Sequence, residues 1–136
     1  MSQENADRHR RIIEAYEAAN AGDRDGWLAL LSADVVYRPI PTFTETQECR
    51  GHDEYRRFVD GFMEAWADDF ACHAETIRDY GDAVIVRLRW TGHARASGVE
   101  VSERIFSVLR FRDGQITRIE DFVDREAAIA AAEARE

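Results

Sequence analysis

Apolar residues recur near the start of the chain at helical spacing. Ile12, Ile13, Tyr16 and Ala19 share one face and Gly22 supplies a stop, which predicts a helix over 5–21. A short second helix follows over 26–32, with Asp23 or Asp25 as its cap and Trp27, Leu30 and Leu31 as its apolar face. Val35-Val36-Tyr37-Arg38 reads as a strand, which Pro39 and Pro41 end or place at an edge. The polar segment 42–50 reads as a loop. The most regular stripe comes next. Asp53 stands where a cap belongs, and Tyr55, Phe58, Val59, Phe62, Met63 and Trp66 follow at i, i+3, i+4, i+7, i+8 and i+11. After Asp69 the period becomes alternating. Strands are predicted over 70–79, 83–95, 99–112 and 115–123, with turns at Tyr80-Gly81-Asp82, Ser97-Gly98 and Asp113-Gly114. An Ala-rich helix over 126–134 closes the chain.

Helices first and an antiparallel meander after them is an α+β architecture. No repeat, linker or composition shift divides the 136 residues, so one domain over 1–136 is expected. Two of the predicted strands are about twice the usual length. Long antiparallel strands twist and coil, and a coiled sheet has a concave face that an amphipathic helix can cover. Where the helices do not fill that face, a lined cavity remains.

Charge and composition narrow the chemistry. The 27 acidic residues outnumber the 18 basic ones, for a formal charge of −9. That balance argues against nucleic acid and against anionic membrane surfaces. Every one of the 18 basic residues is Arg, so a Schiff-base lysine, a pyridoxal-phosphate lysine and a P-loop lysine are all ruled out. Cys49 and Cys72 fall in no metal-type spacing, and a reducing, cytoplasmic setting is expected. MSQENADRHRR holds no apolar signal-peptide core, and no apolar run approaches membrane-spanning length. The four His and the carboxylates show no HxH, HExxH or EF-hand spacing, so no metal is expected. Without a GxSxG elbow or a Gly-rich phosphate loop, no cofactor is expected either.

Read in order, AANAGD, WLALLSADVVY, a Pro-containing loop, RGHDEYRRFV and a meander ending FRDGQITRIEDFVD resemble the SnoaL-like branch of the ketosteroid isomerase and nuclear-transport-factor-2-like superfamily, over roughly 10–131. The resemblance implies a cone-shaped, cystatin-like α+β barrel: a curved antiparallel sheet closed by N-terminal helices, with a pocket inside and commonly a homodimer. The fold hosts enzymes, binding modules and association domains alike. Ketosteroid isomerases carry a base Asp at the end of the first strand, where this chain reads Tyr37-Arg38-Pro39. Their oxyanion-hole Asp falls near Ser107, and for their oxyanion-hole Tyr only Tyr16 serves, so that constellation is incomplete. Limonene-epoxide hydrolases are a closer partial match. Their last-strand Asp falls on Asp121, with Asp124 three residues on, and their water-binding Tyr on Tyr37. Their Asn falls on Pro39, and their Arg-x-Asp becomes Arg87-Leu88-Arg89, so the second carboxylate is missing. SnoaL-type polyketide cyclases use a single last-strand Asp as acid/base, and Asp121 fits that simpler arrangement better.

Strand alternation puts Thr117, Ile119, Asp121 and Val123 on one face. Facing into the cone, Asp121 is a carboxylate among apolar walls, with a pKa raised by desolvation toward proton-transfer range. Facing out, it is a rim residue salt-bridged to Arg118 or Arg87. Tyr37 is either a hydrogen-bond donor to a substrate oxygen or water, or a half-buried core tyrosine. Arg87 and Arg89 read as the outer surface of the sheet or a dimer interface, with pairing to Glu103, Asp121 or a substrate carboxylate as the alternative. His73 and His93 read as structural, and His9 and His52 as surface residues. Phe58, Phe62, Met63 and Trp66 read first as core, as does Tyr16. In this fold the stripe can also line a pocket, and Tyr16, Trp27, Phe43, Phe58, Phe62, Trp66 and Trp90 are the candidate substrate-binding residues. Such a cavity suits a lipophilic, cyclic small molecule. The expectation is a cofactor-independent isomerase, cyclase or epoxide hydrolase with Asp121 and Tyr37 as its catalytic pair. The alternative is a non-catalytic lipophilic-ligand-binding protein or a dimerisation module.

Overall fold

The computed structural model describes residues 2–41 and 48–134. Ser2 accepts a hydrogen bond from Asn5 N and caps α1 (Gln3–Asn20). There follow α2 (Asp25–Leu30), β1 (Leu31–Arg38), β2 (Cys49–Arg50), α3 (Gly51–Glu64), β3 (Ala71–Tyr80), β4 (Ala83–His93), β5 (Glu100–Arg112), β6 (Gln115–Phe122) and α4 (Arg125–Glu133). Among the described residues no helix is long and apolar enough to cross a membrane.

The periodicity located these elements closely, with local corrections. The second helix stops at Leu30, and its expected last turn is already strand. The segment expected to be all loop ends in β2. Asp53 is not the cap of α3: Arg50 takes that place, and Glu54 Oε1 accepts from Arg50 N at 2.9 Å. Asp113 and Gly114 both take positive φ, +53° and +79°, as a type I′ hairpin turn requires.

The six strands form one sheet in the order β2-β1-β6-β5-β4-β3. The predicted antiparallel meander holds for β3 to β6, but β1 runs parallel to β6. Parallel neighbours require a crossover. Here α3 carries the chain to the far edge, and the meander returns to finish beside β1. With β2 and β3 as free edges the sheet is curved but unclosed, so the expected barrel is a partial wrap.

The two faces of the sheet bury different cores. Val84, Val86 and Leu88 of β4 join Ile105 and Leu109 of β5 under α1 and α2. Ala83, Ile85, Phe106 and Val108 meet Ala128 and Ala132 of α4 on the convex side. Arg110 anchors α4 there. Its guanidinium donates to Ala131 O and Ala134 O, at 3.0 and 3.1 Å, and to Asp82 at 2.8 Å. A bulge in β6 leaves Thr117 without a register partner, so Ile116 and Ile119 share the concave face and Thr117 does not. Val123, expected on that face, is exposed beyond the end of β6.

Candidate active site

The stripe on α3 turns toward the concave face of the sheet, yet not one residue of this helix is fully buried. The helix stands off the sheet, and the space left is a cavity of about 1100 Å³. Tyr16, Trp27, Phe58, Phe62, Trp66 and Trp90 all line it. Phe43 lies outside the described residues. The aromatic end of the hollow is a linked cluster in which Phe62 meets Trp90 at 5.1 Å and Trp66 meets Phe70 at 4.6 Å between centroids. Gly92 permits that closure. A Cβ there would sit 3.1 Å from Phe70 Cα and 3.2 Å from Trp66 Cε3, and its φ is +152°.

Asp121 faces into the same hollow. Tyr37 Oη donates to its Oδ2 at 2.7 Å. Burial raises its pKa to about 6, against the opposing pull of Tyr37 and then of Ser107, its cross-strand neighbour. Its Oδ1 is buried and accepts no direct hydrogen bond among the described residues. The salt bridge to Arg118 or Arg87 does not form: Arg118 binds Glu120 and Arg87 binds Glu75. Asp124 is no second acid either, because it caps α4 by accepting from Ala127 N.

Three phenols surround this carboxylate. Burial first, and then the Asp121 charge, hold Tyr37 well above its ordinary pKa. Tyr16 is raised by burial and then by Cys72 and Asp121. Tyr55, which accepts from Trp27 Nε1 at 2.7 Å, is raised mainly by burial. All three therefore stay protonated and present hydroxyl donors. Tyr16, read first as core, is a wall of the cavity. Burial also pushes the Cys72 thiol up to about 12, which leaves it a neutral lining group. Asn20, from the AANAGD segment, holds this end together by exchanging two hydrogen bonds of 2.9 Å with the Cys72 backbone.

Sequence reasoning missed Ser107 and Tyr55 as members of this group. Ser107 is 2% exposed, a small polar residue in the otherwise apolar face Ile105, Leu109, Phe111. That interruption was its signal in the residue pattern, beside the resemblance that puts an oxyanion-hole Asp near this position. Arg87 and Arg89 lie on the convex side and share Glu75 with Arg104. His73 contacts Thr91 Oγ1, and His93 pairs with Asp69 at an exposed corner away from Asp121. His52, expected at the surface, is partly buried with Nε2 placed 3.1 Å from Leu31 O and Ser32 O. Among the described residues no group of His, Cys, Asp or Glu is arranged to hold a metal ion.

The arrangement is an apolar hollow with one carboxylate of near-neutral pKa and several hydroxyl donors at its floor. The pattern of the SnoaL-like domain matches residues 12–119. The chain belongs to the SnoaL-like domain family. Solved structures share the SnoaL-like fold throughout. A nuclear-transport-factor-2-like protein of unknown function from Burkholderia pseudomallei superposes with a TM-score of 0.77 at 23% identity, covering 98% of this chain and 100% of the other. A candidate SnoaL-like polyketide cyclase from Jannaschia sp. CCS1 gives 0.71 at 22%, covering 97% and 93%. TerC, crystallised with polyporic acid, gives 0.74 at 19%, covering 93% and 98%. No curated protein matches the chain.

Proposed function

We propose that this SnoaL-like protein is a cofactor-independent enzyme that moves a proton on a ring-containing, lipophilic small molecule, with Asp121 as its acid/base. The observation that carries this reading is the buried carboxylate, its Oδ1 without a direct hydrogen bond among the described residues, on the wall of an aromatic hollow. Ionised Asp121 takes a proton from a carbon beside a carbonyl. The C–H electron pair moves into the carbonyl and gives an enolate, to whose oxygen the Tyr16 or Tyr55 hydroxyl donates. Protonated Asp121 returns the proton to another carbon of the enolate, which completes an isomerisation; for ring closure the enolate carbon first attacks a second carbonyl carbon of the same molecule, and the alkoxide so formed takes the proton from Asp121. Tyr37 fixes the carboxyl group through Oδ2 and leaves Oδ1 to the substrate.

Proton transfer needs one carboxylate. Epoxide opening of the two-carboxylate type has less support, since Leu88 lines the cavity while its two Arg neighbours turn outward to Glu75. The relatives described as polyketide cyclases, and the one crystallised with polyporic acid, support a cyclic substrate class. Plain ligand binding is the second reading. It is favoured by the position of the other lining carboxylate, Glu103, which is solvent-exposed and away from Asp121.

The test is Asp121→Asn assayed on enolisable polycyclic ketones, quinones and epoxides. A loss of about 10²–10⁴-fold is expected. Equal rates for the two proteins would remove Asp121 from the mechanism, and tight binding without turnover by either would leave the binding reading. A homodimer through the part of the convex sheet face that α4 leaves uncovered, and a cytoplasmic setting, belong to the same proposal. A monomer in sedimentation at micromolar concentration contradicts the dimer.

A further inference from the structure

The cavity opens between two helical walls that side chains join. α1 and α2 form one wall and α3 the other. Among the described residues two hydrogen-bonded contacts span them. Trp27 Nε1 donates to Tyr55 Oη, and Arg24 Nη2 donates to Asp60 Oδ1 at 2.8 Å. The Arg24–Asp60 pair is exposed, 43% and 61% at the side chains. Exposed pairs contribute little to stability, so this one separates easily.

Gly22 and Gly61 line the cavity beside that pair. Gly61 is the odd residue. It sits inside α3, where glycine is disfavoured against alanine. Its φ is not positive, and a Cβ built on it meets nothing within 4 Å. Neither backbone conformation nor packing calls for glycine there. What it contributes is open space at the edge of the hollow, one residue from Phe62.

We propose that the gap bounded by Gly22, Arg24, Asp60 and Gly61 is the portal through which ligands reach Asp121, and that Gly61 sets the width of molecule admitted. The inference rests on the ligand-binding reading of the cavity given above. The far end is the competing route, by Ala94 and Val101. There Trp66 forms a β-bridge with Ala94, and the Trp66–Phe70 pair stands against it, so that end is walled by aromatic rings.

Cys72 lines the cavity and Cys49 does not, which provides a reporter of access that needs no ligand. Labelling by excess N-ethylmaleimide at one fixed alkaline pH, where the small thiolate fraction of this raised-pKa thiol reacts, followed by peptide mass mapping, gives the rate at Cys72. Gly61→Leu slows that rate roughly tenfold, and Gly61→Gln, a polar side chain of similar length, slows it comparably. Ala94→Leu leaves it within about twofold. Both substitutions at 61 point into open space, so circular dichroism matches the wild type. A wild-type labelling rate in Gly61→Leu, or equal slowing by Ala94→Leu, overturns the portal. The fluorescent probe N-phenyl-1-naphthylamine tests the reading beneath it. If the labelling pattern appears but the wild type does not bind this probe, the portal stands and the ligand-binding reading falls. Binding of the probe with labelling unaffected at 61 has the opposite meaning.

Discussion

Two helices pack against opposite faces of the same sheet, and they do it at different distances. α4 lies on the convex face through Ala128 and Ala132, 0% and 3% exposed, against Ala83, Ile85 and Val108. α3 turns Tyr55, Phe58 and Phe62 toward the concave face and buries none of its residues completely. The helix with the smaller apolar side chains is the better packed one. Small residues let a helix approach until side chains interlock at crystal-like density. Large aromatics on a curved face meet edge to face and hold the helix away, as the ring contacts of Phe58 with Tyr37 and of Phe62 with Trp90 show. The contact under α4 is therefore closely packed, whereas the concave face, whose own core lies beneath α1 and α2, is left hollow under α3.

The largest effect expected from breaking this contrast concerns Asp121. Its pKa is about 6 in the fold against 3.8 for the free side chain. The folded state thus holds the proton more tightly than the unfolded one. Below about pH 4 both states are protonated and the residue costs nothing; from there to about pH 6 stability falls as pH rises; above pH 6 the full penalty applies. A gap of about two pH units corresponds to roughly 3 kcal/mol. Asp121→Asn is therefore expected to melt higher than the wild type at pH 7 and to lose that advantage near pH 4, while activity collapses. Calorimetry across that range decides it; a constant difference between the two proteins would mean that Asp121 is not desolvated. Ser107→Ala sharpens the point. It removes a group that favours the carboxylate, so the Asp121 carboxyl resonance should titrate above pH 6.

How much of this was legible in advance follows from the same contrast. Alternation and helical spacing are local, so every strand but the two-residue β2, and α1 to α4, could be located from the chain. The amphipathic stripe Tyr55 to Trp66 gives the direction a helix faces but not its distance from the sheet, so core and cavity wall look alike. The parallel pairing of Tyr37 with Ile119 depends on where the meander finishes, which no short window contains. The bulge at Thr117 breaks the alternation that assigned the face of β6. Asp121 was singled out by the resemblance to enzymes with a last-strand Asp, although the matched SnoaL-like pattern itself ends at residue 119. Ser107 and Tyr55 were not, because their roles exist only once β5, β6 and α3 are placed in register.

The second effect is on the convex side. Ala128→Leu forces a larger side chain into an interface with no space, at a cost of about 1–3 kcal/mol. Chemical denaturation reads it directly. A variant as stable as the wild type would show that α4 is loosely docked and that the comparison between the faces is wrong.

The smallest effect has the opposite sign and comes from the cavity side. Gly61→Ala adds a methyl group where nothing lies within 4 Å. It strains no backbone and lowers the entropy of the unfolded chain, so the protein should gain about 0.5–1 kcal/mol. In α4 enlarging a small residue costs stability, and in α3 it adds some, because only the first residue has neighbours to displace. A glycine that selection for stability alone would have replaced is then kept for the space it leaves. If Gly61→Ala instead destabilises by 1 kcal/mol or more, α3 sits closer to α1 and α2 than the structure shows, and the hollow shrinks with it.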